Sequence, residues 1–301
     1  MSVLTGLSAF PITPANEYGE VCIENLCSLI ERMIVAGVDS IGLLGSTGTY
    51  MYLNYAERKK AIEAAHQQIK GRVPLIVGVS ALRTDDAVKL AQDAKSLGAT
   101  VGLLAPVSYT SLTQDEVFEH YASVARDSHL PICIYDNPGT THFNFSDALI
   151  TRLSRVTGIV GIKNALPADS NVEQHILKQR ASVPPEFSCG YSGDWKCSEA
   201  LLKGADVWYS VLGGVFPELC VSLTRASERK DTELAHKLNG ILQPVWSLFQ
   251  RHGSLRVVYE MLNQLSLSDA VLPRPLLPLN TSIAAEIAVA IRAISGATGQ
   301  E

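Results

Sequence analysis

One lysine, Lys163, closes the apolar run Gly158-Ile159-Val160-Gly161-Ile162. An amine at the carboxyl end of a buried parallel strand stands where a closed α/β barrel keeps its chemistry. The compact lysine head can be desolvated into a neutral amine, the nucleophile that Schiff-base formation with a ketone requires. Position alone leaves the alternative of a strand-end lysine that reaches solvent or pairs with a carboxylate. Tyr135 closes the preceding run, Ile132-Cys133-Ile134, and leads into Asp136-Asn137-Pro138-Gly139-Thr140-Thr141. Adjacent parallel strands lie about 4.8 Å apart, so a phenol and an amine closing successive strands can converge on one point. That pair suits proton shuttling, because forming and dehydrating a carbinolamine both move a proton at the carbinol oxygen; the alternative is a tyrosine that caps the core.

A third group precedes these two. Gly45-Ser46-Thr47-Gly48-Thr49-Tyr50 follows an apolar run and leads into a helix starting near Asn54. Glycines let the backbone approach a ligand, while amides and two hydroxyls can cradle a carboxylate. The loop lacks the Gly-Lys-Ser/Thr ending of a nucleotide P-loop, so a small carboxylate suits it better than a nucleoside triphosphate; an ordinary strand-to-helix turn is the alternative.

These groups need elements to position them. A phrase recurs as Ala36-Gly37-Val38-Asp39, Leu97-Gly98-Ala99-Thr100 and Lys203-Gly204-Ala205-Asp206: a helix end, a glycine and a strand start. The runs that follow such punctuation predict eight strands, at Leu7–Phe10, Ser40–Leu44, Leu75–Val79, Val101–Leu104, Ile132–Tyr135, Ile159–Lys163, Phe187–Cys189 and Val207–Val211. Between them lie amphipathic segments such as Ile23–Ala36, Tyr55–Ile69, Thr84–Leu97 and Gln114–Asp127. Eight short strands alternating with helices predict a (β/α)₈ TIM barrel. The rival is a doubly wound open sheet, which would usually place a Gly-rich dinucleotide loop after its first strand; Phe10-Pro11-Ile12-Thr13-Pro14 is not one. The barrel is assigned to residues 1–215. Residues 216–301 read as an additional C-terminal helical region packed on it as one structural unit. Its helices are expected at Pro217–Arg225, Asp231–Gln250 with a kink at Pro244, Ser254–Leu265 and Ser282–Ile294, with 273–278 an extended connector.

With 301 residues, 47% hydrophobic, the chain is long enough for one large core. A net charge of −5 from 25 basic and 30 acidic residues forms no basic stripe, which argues against a nucleic-acid or anionic-membrane partner. No stretch approaches the roughly 20 apolar residues of a bilayer span, and the chain starts without a secretory pattern, so a cytoplasmic protein is expected. The six cysteines form no Cys-x-x-Cys pair and read as reduced core residues, and the seven histidines show no local metal-ligand spacing.

The set Gly45-Ser46-Thr47-Gly48, Tyr135 with Asn137-Pro138, Gly161-Ile162-Lys163 and Ser192-Gly193-Asp194 resembles the dihydrodipicolinate synthase and N-acetylneuraminate lyase family, in order and spacing over nearly the whole chain. The resemblance implies a (β/α)₈ barrel with a C-terminal helical region, usually a homotetramer or dimer. It also implies a class I aldolase mechanism in which Lys163 condenses with pyruvate or another 2-oxo acid, with no metal or organic cofactor. Carried over by position, Lys163 is the Schiff-base nucleophile, Tyr135 the relay phenol and Ser46 a relay hydroxyl. Thr47, with the amide of Gly48, would hold the substrate carboxylate. The second relay tyrosine, which the family takes from a neighbouring subunit, falls to Tyr109, one position displaced; an exposed loop tyrosine is the alternative. Gly193, Asp194 and Tyr209 are further candidates for substrate contact, with Trp195 beside Asp194, although Asp194 could instead cap the helix that follows. His142 is either a substrate contact or a solvated loop histidine.

Two departures redirect the substrate expectation. Thr140 occupies the position of the arginine that holds the carboxylate of the synthase's second substrate, and a threonine makes no bidentate charged contact. Thr49 replaces an acidic residue. The expected activity is carbon–carbon cleavage or condensation of a 2-oxo acid with an aldehyde or sugar acid. Dehydration of a 2-keto-3-deoxy sugar acid, dihydrodipicolinate synthesis itself, and a barrel that binds a 2-oxo acid without turnover are the alternatives.

Overall fold

The predicted strand runs are buried on both faces, the signature of a parallel sheet covered by helices. The computed structural model describes residues 3–167 and 169–298. Its eight strands are β1 (Gly6–Ala9), β2 (Ser40–Leu43), β3 (Leu75–Gly78), β4 (Val101–Leu104), β5 (Ile132–Tyr135), β6 (Ile159–Asn164), β7 (Ser188–Tyr191) and β8 (Val207–Ser210). They pair in sequence order, all in parallel, and β1 pairs with β8 to close the barrel. This is the (β/α)₈ TIM barrel, followed by C-terminal helices.

Closure sorts the side chains by parity, because successive residues of a strand point to opposite faces. Cys133, Tyr135, Val207 and Tyr209 belong to a buried cluster inside the barrel, together with Leu4, Phe10, Ile76 and Leu103. Their neighbours Ile132, Ile134 and Trp208 belong instead to the larger core between barrel and helices. Ile162 is in that outer core, so the residue after it, Lys163, turns inward.

Local signals start and stop the helices. Asn54 caps helix Tyr55–Ile69 by accepting from the Glu57 amide, and Thr113 with Glu116 forms a capping box on helix Gln114–Ser128. The aspartates of the recurrent phrase brace strands. Asp39 accepts from the Leu7 amide at 2.7 Å and from both terminal nitrogens of Arg225, on helix Pro217–Glu228, at 2.8 and 2.9 Å. Asp206 accepts from the Cys189 amide at 2.7 Å and pairs with Arg180.

Most element boundaries fall within one to four residues of expectation, and two of the differences have a clear local cause. The strand expected at Phe187–Cys189 runs to Tyr191, because Gly190, which reads as a breaker, lies in register beside Lys163. The single kinked helix expected over Asp231–Gln250 is two helices, Thr232–Ile241 and Gln243–His252. Pro244 sits in the first turn of the second, where its missing N–H costs nothing.

Trp208 of β8 meets Trp246 of helix Gln243–His252 edge to face, with 6.5 Å between ring centroids, and Trp246 donates to Asn239 Oδ1 at 2.9 Å. Barrel and C-terminal helices thus share one apolar core. Trp246→Ala should cost about 3–5 kcal/mol by opening a cavity there. We expect thermal denaturation to show one cooperative transition at lower temperature; separate melting of two parts would contradict a shared core.

Candidate active site

Lys163 and Tyr135 are direct register partners across β6 and β5. Lys163 is 4% exposed and Tyr135 7%. The Lys163 Nζ lies 4.2 Å from the centre of the Tyr135 ring, 4.3 Å from that of Phe10 and 5.7 Å from that of Tyr209. No ion pair involving Lys163 is found among the described residues. The Tyr135 hydroxyl lies 3.1 Å from Ser46 Oγ and accepts from Asn137 Nδ2 at 3.1 Å. Loop hydroxyl, phenol and Asn137 amide therefore form one hydrogen-bonded chain, with the amine over the phenol ring, at the carboxyl ends of β2, β5 and β6.

Supports for this chain come from the same strand ends. Beyond the lysine, Asn164 donates to the Gly190 carbonyl at 3.0 Å and exchanges two hydrogen bonds of 2.9 Å with Gln179, tying β6 to β7. Thr47 is buried beside Gly48, which packs against Thr13, and the buried Thr13 hydroxyl has no hydrogen-bond partner. Thr49 stands beside the buried Tyr259 of helix Ser254–Gln264, whose phenol pKa burial raises and Thr49 lowers, so the C-terminal region reaches the loop. Arg58 lies over the Tyr50 ring at 5.1 Å and donates to the Gly78 carbonyl at 3.0 Å. Burial lowers its pKa to about 10.

Tyr209 stands inside the barrel, 3.5 Å from Cys133 Sγ. Burial pushes the Tyr209 phenol well up and the Cys133 thiol up to about 12, so both stay protonated beside the amine.

Other candidates lie apart from this cluster. Asp194 does not cap its own helix; its carboxylate is turned to β8. Its carboxylate accepts from Trp208 Nε1 (3.1 Å), Ser210 Oγ (3.3 Å) and the amides of Val211 (3.2 Å) and Leu212 (2.8 Å). It clamps the exit of β8; burial raises its pKa, and those four bonds oppose the rise. Gly193 takes φ 92° at the start of helix Asp194–Leu202. Thr140 is exposed on the short helix Pro138–Thr141, its hydroxyl donating to the Asn137 carbonyl at 3.3 Å, and His142 is exposed after it. Tyr109 is 98% exposed, so within one chain it does not join the buried group. Phe10 and Asn137 belong to the site although the sequence reading assigns them no role in it. Phe10 ends the first apolar run with the parity of the barrel interior, and Asn137 lies two residues past Tyr135, and those positions were the available signals. No group of three or more His, Cys, Asp or Glu side chains suited to a metal occurs among the described residues, and none of their helices is long and apolar enough to cross a membrane.

A buried strand-end lysine within a (β/α)₈ barrel, flanked by a phenol and hydroxyls, is an arrangement suited to an imine-forming lyase. The comparisons with known proteins agree. The model of the dihydrodipicolinate synthetase family matches residues 3–294, and the chain belongs to that family. It is an enzyme, a lyase of the class I aldolase type that characterises the family. It is 32% identical over 245 residues to a 4-hydroxy-tetrahydrodipicolinate synthase of Bartonella bacilliformis, covering 81% of this chain and 82% of that one. It is 30% identical to the synthase of Neisseria meningitidis serogroup B, covering 97% and 99%. Among solved structures, a dihydrodipicolinate synthase from Agrobacterium tumefaciens superposes with a TM-score of 0.96 at 48% identity, over 97% of this chain and 99% of that one. The Acinetobacter baumannii enzyme, solved with pyruvate, superposes with a TM-score of 0.90 at 27% identity, over 97% and 99%.

Asp136, beside this site, supplies a test. Burial raises its carboxyl pKa to about 6, and its Oδ1 has no hydrogen-bond partner. A carboxyl raised on folding stabilises the fold below its unfolded pKa of 3.8, and that stability is lost as pH rises through about 6. Asp136→Asn should therefore stabilise the protein at neutral pH by on the order of 2 kcal/mol and give no advantage in acid. Paired thermal melts at the two conditions check the sign.

Proposed function

We propose that the protein condenses Lys163 with pyruvate or a closely related 2-oxo acid and makes or breaks a carbon–carbon bond next to the resulting imine. The observation that carries this reading is the register pairing of Lys163 with Tyr135, whose hydroxyl meets Ser46. Lys163 Nζ would attack C2 of the 2-oxo acid. Attack moves one nitrogen proton to the carbinol oxygen; the Tyr135 phenol would supply the second so that the oxygen leaves as water, and the phenolate would regain its proton from solvent through Ser46. The protonated imine then accepts the electron pair of the breaking bond, or loses a C3 proton to give the enamine that attacks an aldehyde. Thr47 and the amide of Gly48 would hold the carboxylate. Tyr109, being exposed on a mouth loop, would complete the relay from a second copy of the chain.

For the second substrate we favour a hydroxylated aldehyde or sugar acid. Thr140 stands where a carboxylate-holding arginine would be needed, and a neutral hydroxyl matches a neutral partner. Dihydrodipicolinate synthesis is the other reading, favoured by the names of the relatives at 30 to 32% identity and of the solved structure at 48%. Turnover of pyruvate with aspartate semialdehyde and with a panel of hydroxyaldehydes separates the two. We expect the hydroxyaldehydes to react and the semialdehyde to react poorly; efficient use of the semialdehyde overturns the preference. Release of water without pyruvate from a 3-deoxy sugar acid would instead identify a dehydratase. In whichever reaction proceeds, Tyr135→Phe should lower kcat by about 10²–10³ with little change in KM, as loss of a proton relay does.

A further inference from the structure

The positive charge of a protonated imine on Lys163 would form where no ion pair is present among the described residues. The groups that face Nζ are Tyr135 and Cys133 from β5, Tyr209 from β8 and Phe10 from the end of β1, while Cys197 of helix Asp194–Leu202 lies behind the strands in the core between barrel and helices. None is a carboxylate. Burial keeps Cys133, Cys197 and Tyr209 in their neutral forms. Three aromatic rings instead surround the amine.

The barrel makes specific room for two of them. A Cβ built on Gly42 of β2 would lie 2.2 to 2.4 Å from three atoms of the Phe10 ring. A Cβ built on Gly190 of β7, the register partner of Lys163, would lie 2.5 Å from Tyr209 Cε2 and 2.8 Å from Val207 Cβ. Two inward strand positions thus lack a side chain where the rings stand, and Phe10 and Tyr209 pack edge to face with centroids 6.0 Å apart. The face of an aromatic ring attracts a nearby cation, and more strongly where water is excluded.

We propose that Phe10 and Tyr209 are catalytic residues that take the place of a counter-ion, holding the cationic states of the Lys163 nitrogen through their ring faces. The proposal rests on the imine reading above and adds to it the source of the charge stabilisation. It has a consequence that mere packing lacks. An ammonium and a ketone give an iminium and water, with one positive charge on each side, so the rings favour both states alike. A neutral amine and a ketone must take up a proton to give the iminium, and here the rings favour the product alone. Weakening the rings should therefore leave adduct formation unchanged in acid and weaken it in alkali.

The test replaces Phe10 in the full-length protein with phenylalanines carrying one, two and three ring fluorines, which drain the ring face with little change of shape. Pyruvate is the probe. Sodium cyanoborohydride transfers hydride to C2 of the iminium and leaves a stable secondary amine on Lys163. The pyruvate concentration for half-maximal labelling is read by mass across pH. We expect coincident curves at low pH and an alkaline rise that starts earlier with each fluorine. Across the series the shift should approach about one pH unit, the tenfold effect of a desolvated cation–π contact. Curves that superimpose at every pH, or that shift equally at every pH as a change of packing would make them do, overturn the role of the rings while leaving the imine intact. Wild-type protein with no adduct at any pH overturns the imine reading and this inference together.

Discussion

The pairing of β5 with β6 is the contact on which the site depends. It places Tyr135 and Lys163 opposite each other, and barrel closure gives both the inward parity. A slip of one residue in that pairing would send one of the two into the layer between barrel and helices. The β6–β7 pairing and the Asn164–Gln179 amide pair hold the register from the other side, directly beyond the lysine. The chemistry is thus built on strand ends, which are rigid, with only the hydroxyl loop and the Asn137 turn reaching over from elsewhere.

Keeping an amine almost wholly inside a barrel of apolar residues is costly unless something answers its charge. Most proteins would answer with a carboxylate, but a fixed anion would favour the ammonium strongly and hold the nitrogen away from a carbonyl. Here a buried carboxylate beside β8, Asp194, is occupied by four donors of that strand and the turn after it. It braces the wall that carries Tyr209. The C-terminal helices brace the same wall from outside through Trp246 against Trp208, and they meet the hydroxyl loop through Tyr259 and Thr49.

Much of this organisation is legible in the sequence, because punctuation and parity are local. Glycine after a helix, an aspartate that begins the next strand and an apolar run together locate the strands to within a residue or two. The end of β7 falls two residues beyond expectation because Gly190 reads as a stop when its neighbours are unknown; it lacks a side chain so that Tyr209 fits beside it, a reason visible only across strands. Lys163, Tyr135 and Ser46 could be singled out because each ends or follows a run. Phe10 could not, because an aromatic residue at the end of an apolar run looks like core until the barrel closes around the amine. Asp194 shows the opposite case: a carboxylate after a strand suggests a pocket, and only the geometry of β8 reveals four donors waiting for it. Tyr109 belongs to neither case, since a side chain on the surface of one chain acquires a role only from a second copy.

The most direct measurement is the intact mass of the protein after incubation with pyruvate and sodium borohydride, followed by peptide mapping. One reduced three-carbon adduct on the peptide containing Lys163, absent from Lys163→Ala, is the expected result. An unmodified protein, or label spread over surface lysines and unchanged in the variant, would contradict imine chemistry at this barrel mouth.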